Sequence, residues 1–241
     1  MKNKAKKISK EKIVLSMLTH VPFDGWNWNA LYKGAEDIYF LNKKIDEKIK
    51  DDLRNLFNND LAEIVEFLND YLDTKMEKDF LKLKLKIPSI PEKVKTLILL
   101  RLKWTFPYKD SIRLSLGFMG MPNNSKKSIS MLYKTCDKIW RISGDTSTDF
   151  SFYTKRIVLS GLYTSTLLFW LNDNSKDLTN TESFLTRRLL DISNFGKIKK
   201  FSNKLLDKNS KMNKNSHEYI SSLKKRFSVG NLFKQFKNFN Q

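Results

Sequence analysis

Few side chains in this sequence have the type and spacing that catalysis needs. The two histidines, His20 and His217, sit near opposite ends of the chain, and neither has a second histidine or cysteine three or four residues away on the same helical face. The one cysteine, Cys136, lies in an apolar helical pattern with no histidine near it in sequence, which reads as a buried thiol rather than a nucleophile. It also means that no internal disulfide can form. The acidic pairs Glu36/Asp37 and Asp51/Asp52 are adjacent, so their carboxylates do not face each other on a helix. No glycine-rich loop is built to cradle a phosphate. No catalytic residue, metal centre or cofactor is therefore expected.

The stretch that carries chemistry of another kind is Arg141–Arg156, RISGDTSTDFSFYTKR. Gly144 and Asp145 break one helix. Ser147 or Thr148 can cap the next, and Asp149 sits where the helix dipole favours an anion. Capping does not account for the residues that follow. Phe152 and Arg156 are four apart, and a stripe of Tyr153, Arg156, Ser160 and Tyr163 runs beside faces holding Ile157, Leu162, Leu168 and Phe169. Aromatics with an arginine beside an apolar face have the composition of a recognition surface.

These residues need a scaffold, and the periodicity supplies helices. Patterns spaced by three and four residues run over Ile13–His20, Trp28–Leu41, Leu53–Leu72, Lys93–Trp104, Lys109–Gly117, Lys126–Ile142, Thr148–Leu171, Thr181–Phe201 and His217–Phe239. Val21–Gly25 closes the first. The alternating Lys82–Lys86 run meets Pro88 and Pro91 and reads as a connector. Eight glycines and five prolines in 241 residues fit the same all-α reading, and 40% apolar residues suffice for a core. The expected order is a basic tail (1–12), a helix-turn-helix-like module (13–58), a larger helical domain (59–203), a Lys/Asn/Ser linker (204–216) and an amphipathic helix (217–239).

The net charge of +19 is uneven. Residues 1–12 hold six Lys and one Glu; residues 197–241 hold eleven Lys and one Arg against two acids, which leaves only +4 for the body. Basic ends suit an anionic surface. In the last helix Leu223, Phe227, Leu232, Phe233 and Phe236 alternate with Lys224, Lys225, Arg226, Lys234 and Lys237, a pattern that suits contact with an anionic bilayer. No signal peptide, transit peptide or membrane-spanning stretch is read, which points to a cytoplasmic-side protein, peripheral on a bacterial inner membrane, with a mitochondrial-type origin left open.

Three segments together carry a resemblance. Gly144–Arg156 (GDTSTDFSFYTKR) continuing into GLYTSTLLFWLND, His20–Asp37 (HVPFDGWNWNALYKGAED) and Thr181–Lys199 (TESFLTRRLLDISNFGKIK) are similar, in order, to blocks of the ubiquinone biosynthesis COQ-nine family, also called the RpsU-divergently transcribed family. The resemblance covers roughly residues 13–200. It implies a TetR-like fold and a non-enzymatic, homodimeric accessory protein. That protein would bind isoprenoid quinone intermediates or phospholipid and assist the di-iron demethoxyubiquinone hydroxylase at the membrane. The family's partner-facing patch falls on Asp137, Ile139, Phe152, Tyr153 and Arg156; Phe152 stands where eukaryotic members have Trp, and Ile139 where they have Met. No motif marks the lipid-lining residues, for which Leu159, Leu162, Leu168 and Phe169 are candidates. A TetR-like DNA-binding regulator is the rival reading. The region of its recognition helix, Ile38–Asn58, sets Lys43, Lys44, Lys48, Lys50 and Arg54 against Asp46, Glu47, Asp51 and Asp52, so no nucleic-acid partner is expected.

Overall fold

A computed structural model describes residues 9–40, 45–83, 89–148 and 150–206. The chain divides into two compact units, Met1–Leu185 and Thr186–Gln241. In the described residues there are nine α-helices and no strand: α1 Lys10–Asp24, α2 Trp28–Ala35, α3 Glu47–Asn55, α4 Leu61–Lys82, α5 Ile90–Thr105, α6 Lys109–Met119, α7 Ser125–Ser143, α8 Phe150–Leu171 and α9 Thr179–Leu206. The last helix starts in the first unit and supplies the described part of the second.

The helix-turn-helix-like module rests on α1 against α2. Ile13, Met17 and Val21 of α1 meet Ala30, Leu31 and Ala35 of α2, all fully buried. Gly34 permits the approach: a Cβ there would lie 2.5 Å from the Met17 amide nitrogen. The helix α1 does not close at Val21 as the sequence suggests. It runs through Pro22 to Asp24 and ends at Gly25, whose φ is 81°. Pro22 has no N–H to give the Leu18 carbonyl. That carbonyl instead accepts a hydrogen bond from the buried Ser111 hydroxyl of α6.

Two further boundaries differ from the periodic reading. Trp28–Leu41 does not continue as one α-helix; Glu36–Phe40 widens into a π turn. Its Asp37 accepts hydrogen bonds from Ser16 Oγ at 3.1 Å and pairs with His20 Nε2 at 2.6 Å. The single helix expected over Leu53–Leu72 is two, because Asn58 and Asn59 turn left-handed (φ 51° and 56°), a conformation Asn tolerates well. Asp60 then caps α4 through the Ala62 amide. Lys127 of α7 ties this start down, reaching Asp60 at 2.8 Å and Glu63 at 2.6 Å.

Helices α4, α5, α7 and α8 surround a buried polar cluster. Arg101 donates to Asp73 at 2.7 Å, to Asn69 at 2.6 Å and to the Tyr163 hydroxyl; Thr135 donates to Asp73 at 2.8 Å. Arg101, Asp73, Thr135 and Tyr163 are all at most 5% exposed. The ion pair and its hydrogen bonds satisfy each other, which is what makes such burial tolerable.

Candidate docking site

The site is built where α7 ends and α8 begins. Gly144 takes the left-handed conformation (φ 95°), and the amides of Gly144 and Asp145 bond back to the carbonyls of Arg141 and Trp140, both at 3.0 Å. This turn lays α8 alongside α7 in the opposite direction. Trp140 Nε1 donates to the Lys155 carbonyl at 3.0 Å, and Ser160 Oγ to Cys136 Sγ at 3.4 Å.

Between those contacts lies a lock of five charged groups. Arg156 Nε donates to Asp137 at 2.7 Å, and its Nη1 to Asp145 at 3.2 Å and to the Phe152 carbonyl at 3.0 Å. Asp145 also accepts from Lys155 Nζ at 2.7 Å and Ser147 Oγ at 2.6 Å; Asp137 accepts from Arg141 Nε at 2.6 Å. The side chains of Arg156 and Asp145 are each 2% exposed. Burial works against ionising Asp145, but hydrogen bonds from Lys155, Ser147 and Arg156 outweigh it and hold the carboxyl at about 2. Asp137 is likewise lowered: burial opposes, and the two arginines prevail.

The lock changes what the expected patch residues do. Arg156 does not project as an anchor; its guanidinium is consumed inside the chain and covers the Phe152 ring at 3.3 Å from the centroid. Ile139 is fully buried, because it falls on the inner face of α7. Tyr163, placed on the same stripe by spacing, belongs to the Arg101 cluster. Burial pushes its phenol up to about 12, partly offset by Arg101. Ile157 reverses its expected role: it is 63% exposed, on the surface beside Tyr153, which is 60% exposed. Phe152 is half-buried, edge-on to Tyr153 with ring centres 5.1 Å apart. Asp137, Phe152, Tyr153 and Arg156 are thus brought together, Ile139 lies buried on the inner face of α7, and only Tyr153 is largely exposed. Ser147's hydroxyl serves Asp145, and Asp149 lies outside the described residues. Sequence reasoning missed Asp145 as Arg156's second partner; Gly-Asp reads as a helix breaker, and nothing local pairs residues eleven apart.

The remaining candidates separate clearly. Leu159 and Leu162 are buried, whereas Leu168 and Phe169 are half-buried, with Phe169 stacked on Phe184 at 4.4 Å. None of the four lines the apolar cleft of about 50 Å³ bounded by Leu15, Leu68, Tyr71, Trp104, Tyr108 and Ile112. The membrane-contact residues Leu223, Phe227, Leu232, Phe233 and Phe236, and the linker beyond Leu206, lie outside the described residues. Cys136 is buried, and burial pushes its thiol up to about 11, which keeps it protonated and a poor nucleophile. Among the described residues no group of His, Cys, Asp and Glu is placed to hold a metal ion, and no helix is long and apolar enough to cross a membrane.

The helices that form the lock, α7 and α8, fall within a match to a known family. The COQ9 family model matches residues 125–196. It is similar to the rat (Rattus norvegicus) protein named "Ubiquinone biosynthesis protein COQ9, mitochondrial", 30% identical over 195 residues, covering 77% of this chain and 59% of that one. The human protein of the same name is 28% identical over 193 residues, covering 77% and 58%. The Schizosaccharomyces pombe protein is 27% identical over 188 residues, covering 76% and 70%. The chain therefore spans somewhat under two thirds of the mammalian COQ9 proteins it matches. In fold it is similar to a TetR transcriptional regulator from Nitrosomonas europaea, with a TM-score of 0.57 at 18% identity over 75% of this chain and 95% of that one. The COQ9 resemblance and the all-α, TetR-like fold read from the sequence are both borne out.

Proposed function

We propose that this chain is a non-catalytic accessory protein of ubiquinone biosynthesis. In this reading it binds isoprenoid quinone intermediates or phospholipid at a membrane and presents substrate to the demethoxyubiquinone hydroxylase. One observation carries the docking part: within the COQ9 segment, Tyr153 and Ile157 stand exposed on a helix whose base is locked internally by Asp137, Arg156 and Asp145. An exposed aromatic on a rigid base loses little freedom on binding, which is how interface anchors gain affinity. The partner's contacts would therefore come from Tyr153, Ile157 and the edge of Phe152, with Arg156, Asp137 and Ile139 acting from beneath.

Lipid is the second part of the proposal. The cleft beside Trp104 and Tyr108 has room for a few carbon atoms, so an isoprenoid tail would enter by displacing those rings, with Leu159, Leu162, Leu168 and Phe169 as further proposed contacts. The C-terminal residues Leu223–Phe236 would hold the protein peripherally on the bilayer, and a homodimer belongs to the same reading. The matched relatives are named as mitochondrial, which supports a mitochondrial membrane, and a bacterial inner membrane is the other setting of this reading. Lipids extracted from the purified full chain and identified by mass spectrometry test this part; recovery of no isoprenoid or phospholipid removes it.

DNA binding has the fold in its favour. However, α3, at the recognition position, carries three cations and three anions, and Lys50 and Arg54 are paired to Glu47 and Asp51. Retention of the chain on a nonspecific duplex at low salt, lost when the basic ends are neutralised and unchanged by α3 substitutions, separates tail charge from a reading helix.

A further inference from the structure

The apolar cleft between α1, α4, α5 and α6 has a base and a rim of different kinds. Leu18, Leu68, Leu72 and Ile112 are at most 7% exposed and form its buried part. Thr105 adds no free polar group there, because its hydroxyl donates to the Leu102 carbonyl at 2.8 Å. The rim is looser. Trp104, the penultimate residue of α5, is 37% exposed, and Tyr71 is half-buried. Charged groups gather at this rim. Trp104 Nε1 donates to one oxygen of Asp79 at 2.7 Å, and Lys82 Nζ holds the other at 3.2 Å. The Lys75 ammonium lies 4.9 Å from the centre of the Tyr71 ring and 5.2 Å from that of Trp104. Its carboxylate partner, Glu11, stands off at 3.6 Å, and both side chains are open to solvent.

The two parts differ in what it takes to move them. Displacing a residue of the base opens the core. Swinging Trp104 outward breaks one hydrogen bond and one ring contact at the surface, where water replaces them. A recess with aliphatic walls and a cation at its mouth fits an aliphatic chain that ends in an anion. One ammonium matches a singly charged carboxylate, whereas a phosphate dianion would call for more donors than this rim has to give. We infer that this cleft seats a long-chain carboxylate whose head meets Lys75, with Trp104 as the lid and Asp79 as its latch. The inference rests on the proposal that this protein binds lipid, and it names the cleft that takes the chain and the residue that takes the head. Trp104 covers the mouth in the closed form, and its departure lengthens the cleft toward Lys75. The head then replaces Glu11 beside Lys75, and the Glu11 carboxylate turns to water.

The test titrates the full chain with oleic acid and with oleyl alcohol in a calorimeter, at about pH 8 where the acid is ionised, below micellar concentrations. Wild type should take one oleic acid per chain and hold it about fivefold more tightly than the alcohol. Lys75→Gln should bind the two alike, at the wild-type affinity for the alcohol. Leu15→Trp, which fills the cleft from its half-buried edge, should bind neither. Asp79→Ala frees the lid, so stopped-flow association should quicken several-fold for acid and alcohol alike; loss of the negative charge by itself would speed only the acid. Lys75 and Asp79 are partly exposed, so thermal melts of their variants should stay close to wild type. Wild-type binding of oleic acid by folded Leu15→Trp overturns the cleft, an unchanged acid preference in Lys75→Gln overturns the head site, and no quickening in Asp79→Ala overturns the lid. Should Leu15→Trp not fold, Lys75→Gln decides alone. Lipids extracted from the purified full chain separate these failures from that of the wider reading. If lipid is recovered alongside any of them, only the inference falls; if none is recovered and wild type binds neither ligand, both fall.

Discussion

The guanidinium of Arg156 lies 3.3 Å from the centre of the Phe152 ring, one helical turn away, and is itself held by Asp137 and Asp145. The relationship makes Arg156 part of the surface's foundation. Phe152 is positioned by what sits under it, and Tyr153 by Phe152.

Substitutions at neighbouring positions should therefore separate binding from folding. Tyr153→Ala removes an exposed ring and should leave the melting temperature nearly unchanged, while binding to the hydroxylase weakens by about 2 kcal/mol, more than tenfold. Arg156→Ala removes the buried guanidinium that Asp137 and Asp145 share, leaves them to Arg141 and Lys155 alone, and should cost about 3 kcal/mol of stability. Binding titrations with melts alongside check both. Normal hydroxylase affinity in folded Tyr153→Ala would remove this surface as the docking site.

Asp145 should make the fold sensitive to acid. Its carboxyl is near 2 in the folded chain and 3.8 in an unfolded one, so the ionised form is the one the fold favours. A lowered carboxyl contributes its stability fully above the unfolded value and loses it as pH falls from about 4 to 2. The contribution is roughly 2 kcal/mol. Asp145→Asn should be less stable at neutral pH by about that amount, and should show a flatter stability curve between pH 4 and 2 than wild type in denaturant titrations. Asp173, also held at about 2 against burial by Thr181 and Ser175, keeps part of the slope in the variant.

The Arg101 cluster should show strong coupling. Either Arg101→Met or Asp73→Leu leaves a buried charge with no counter-ion, and each should cost about 3–5 kcal/mol. The double variant removes both charges and should be markedly more stable than the sum of the single losses implies. A double-mutant cycle by chemical denaturation measures the difference, and strict additivity would contradict the pairing.

Gly34→Ala probes the contact between α1 and α2. The new methyl carbon would meet the Met17 amide nitrogen at 2.5 Å and its Cα at 2.9 Å, backbone atoms that cannot swing aside. The helices must separate, at a cost of about 1–3 kcal/mol, despite alanine's better helix propensity. A melting temperature equal to or above wild type would show that the contact is looser than drawn.

The helices were legible because their apolar spacing is long and regular: α5, α6 and α7 begin and end within a few residues of their expected bounds. The misses have local causes that spacing does not encode. An apolar period runs straight across Asn58 and Asn59, although their backbone does not. Pro22 reads as a stop, yet Ser111, far away in sequence, takes up the carbonyl it leaves. At the site, the composition identified the right stretch but not which side each residue faces. On a helix with apolar groups almost all round, as α8 is, periodicity assigns no inner face. Arg156 and Ile157 were therefore exchanged between surface and interior.

The burial of Arg156 also bears on how its loss would look inside a cell. A change there destabilises the chain by about 3 kcal/mol, which multiplies the unfolded fraction roughly a hundredfold. Proteases and chaperones act on that fraction, so the first symptom would be a shortage of the protein. Loss of Tyr153 would leave normal amounts of a protein that fails to engage. Measuring abundance beside interaction thus distinguishes two kinds of defect that arise three residues apart on one helix.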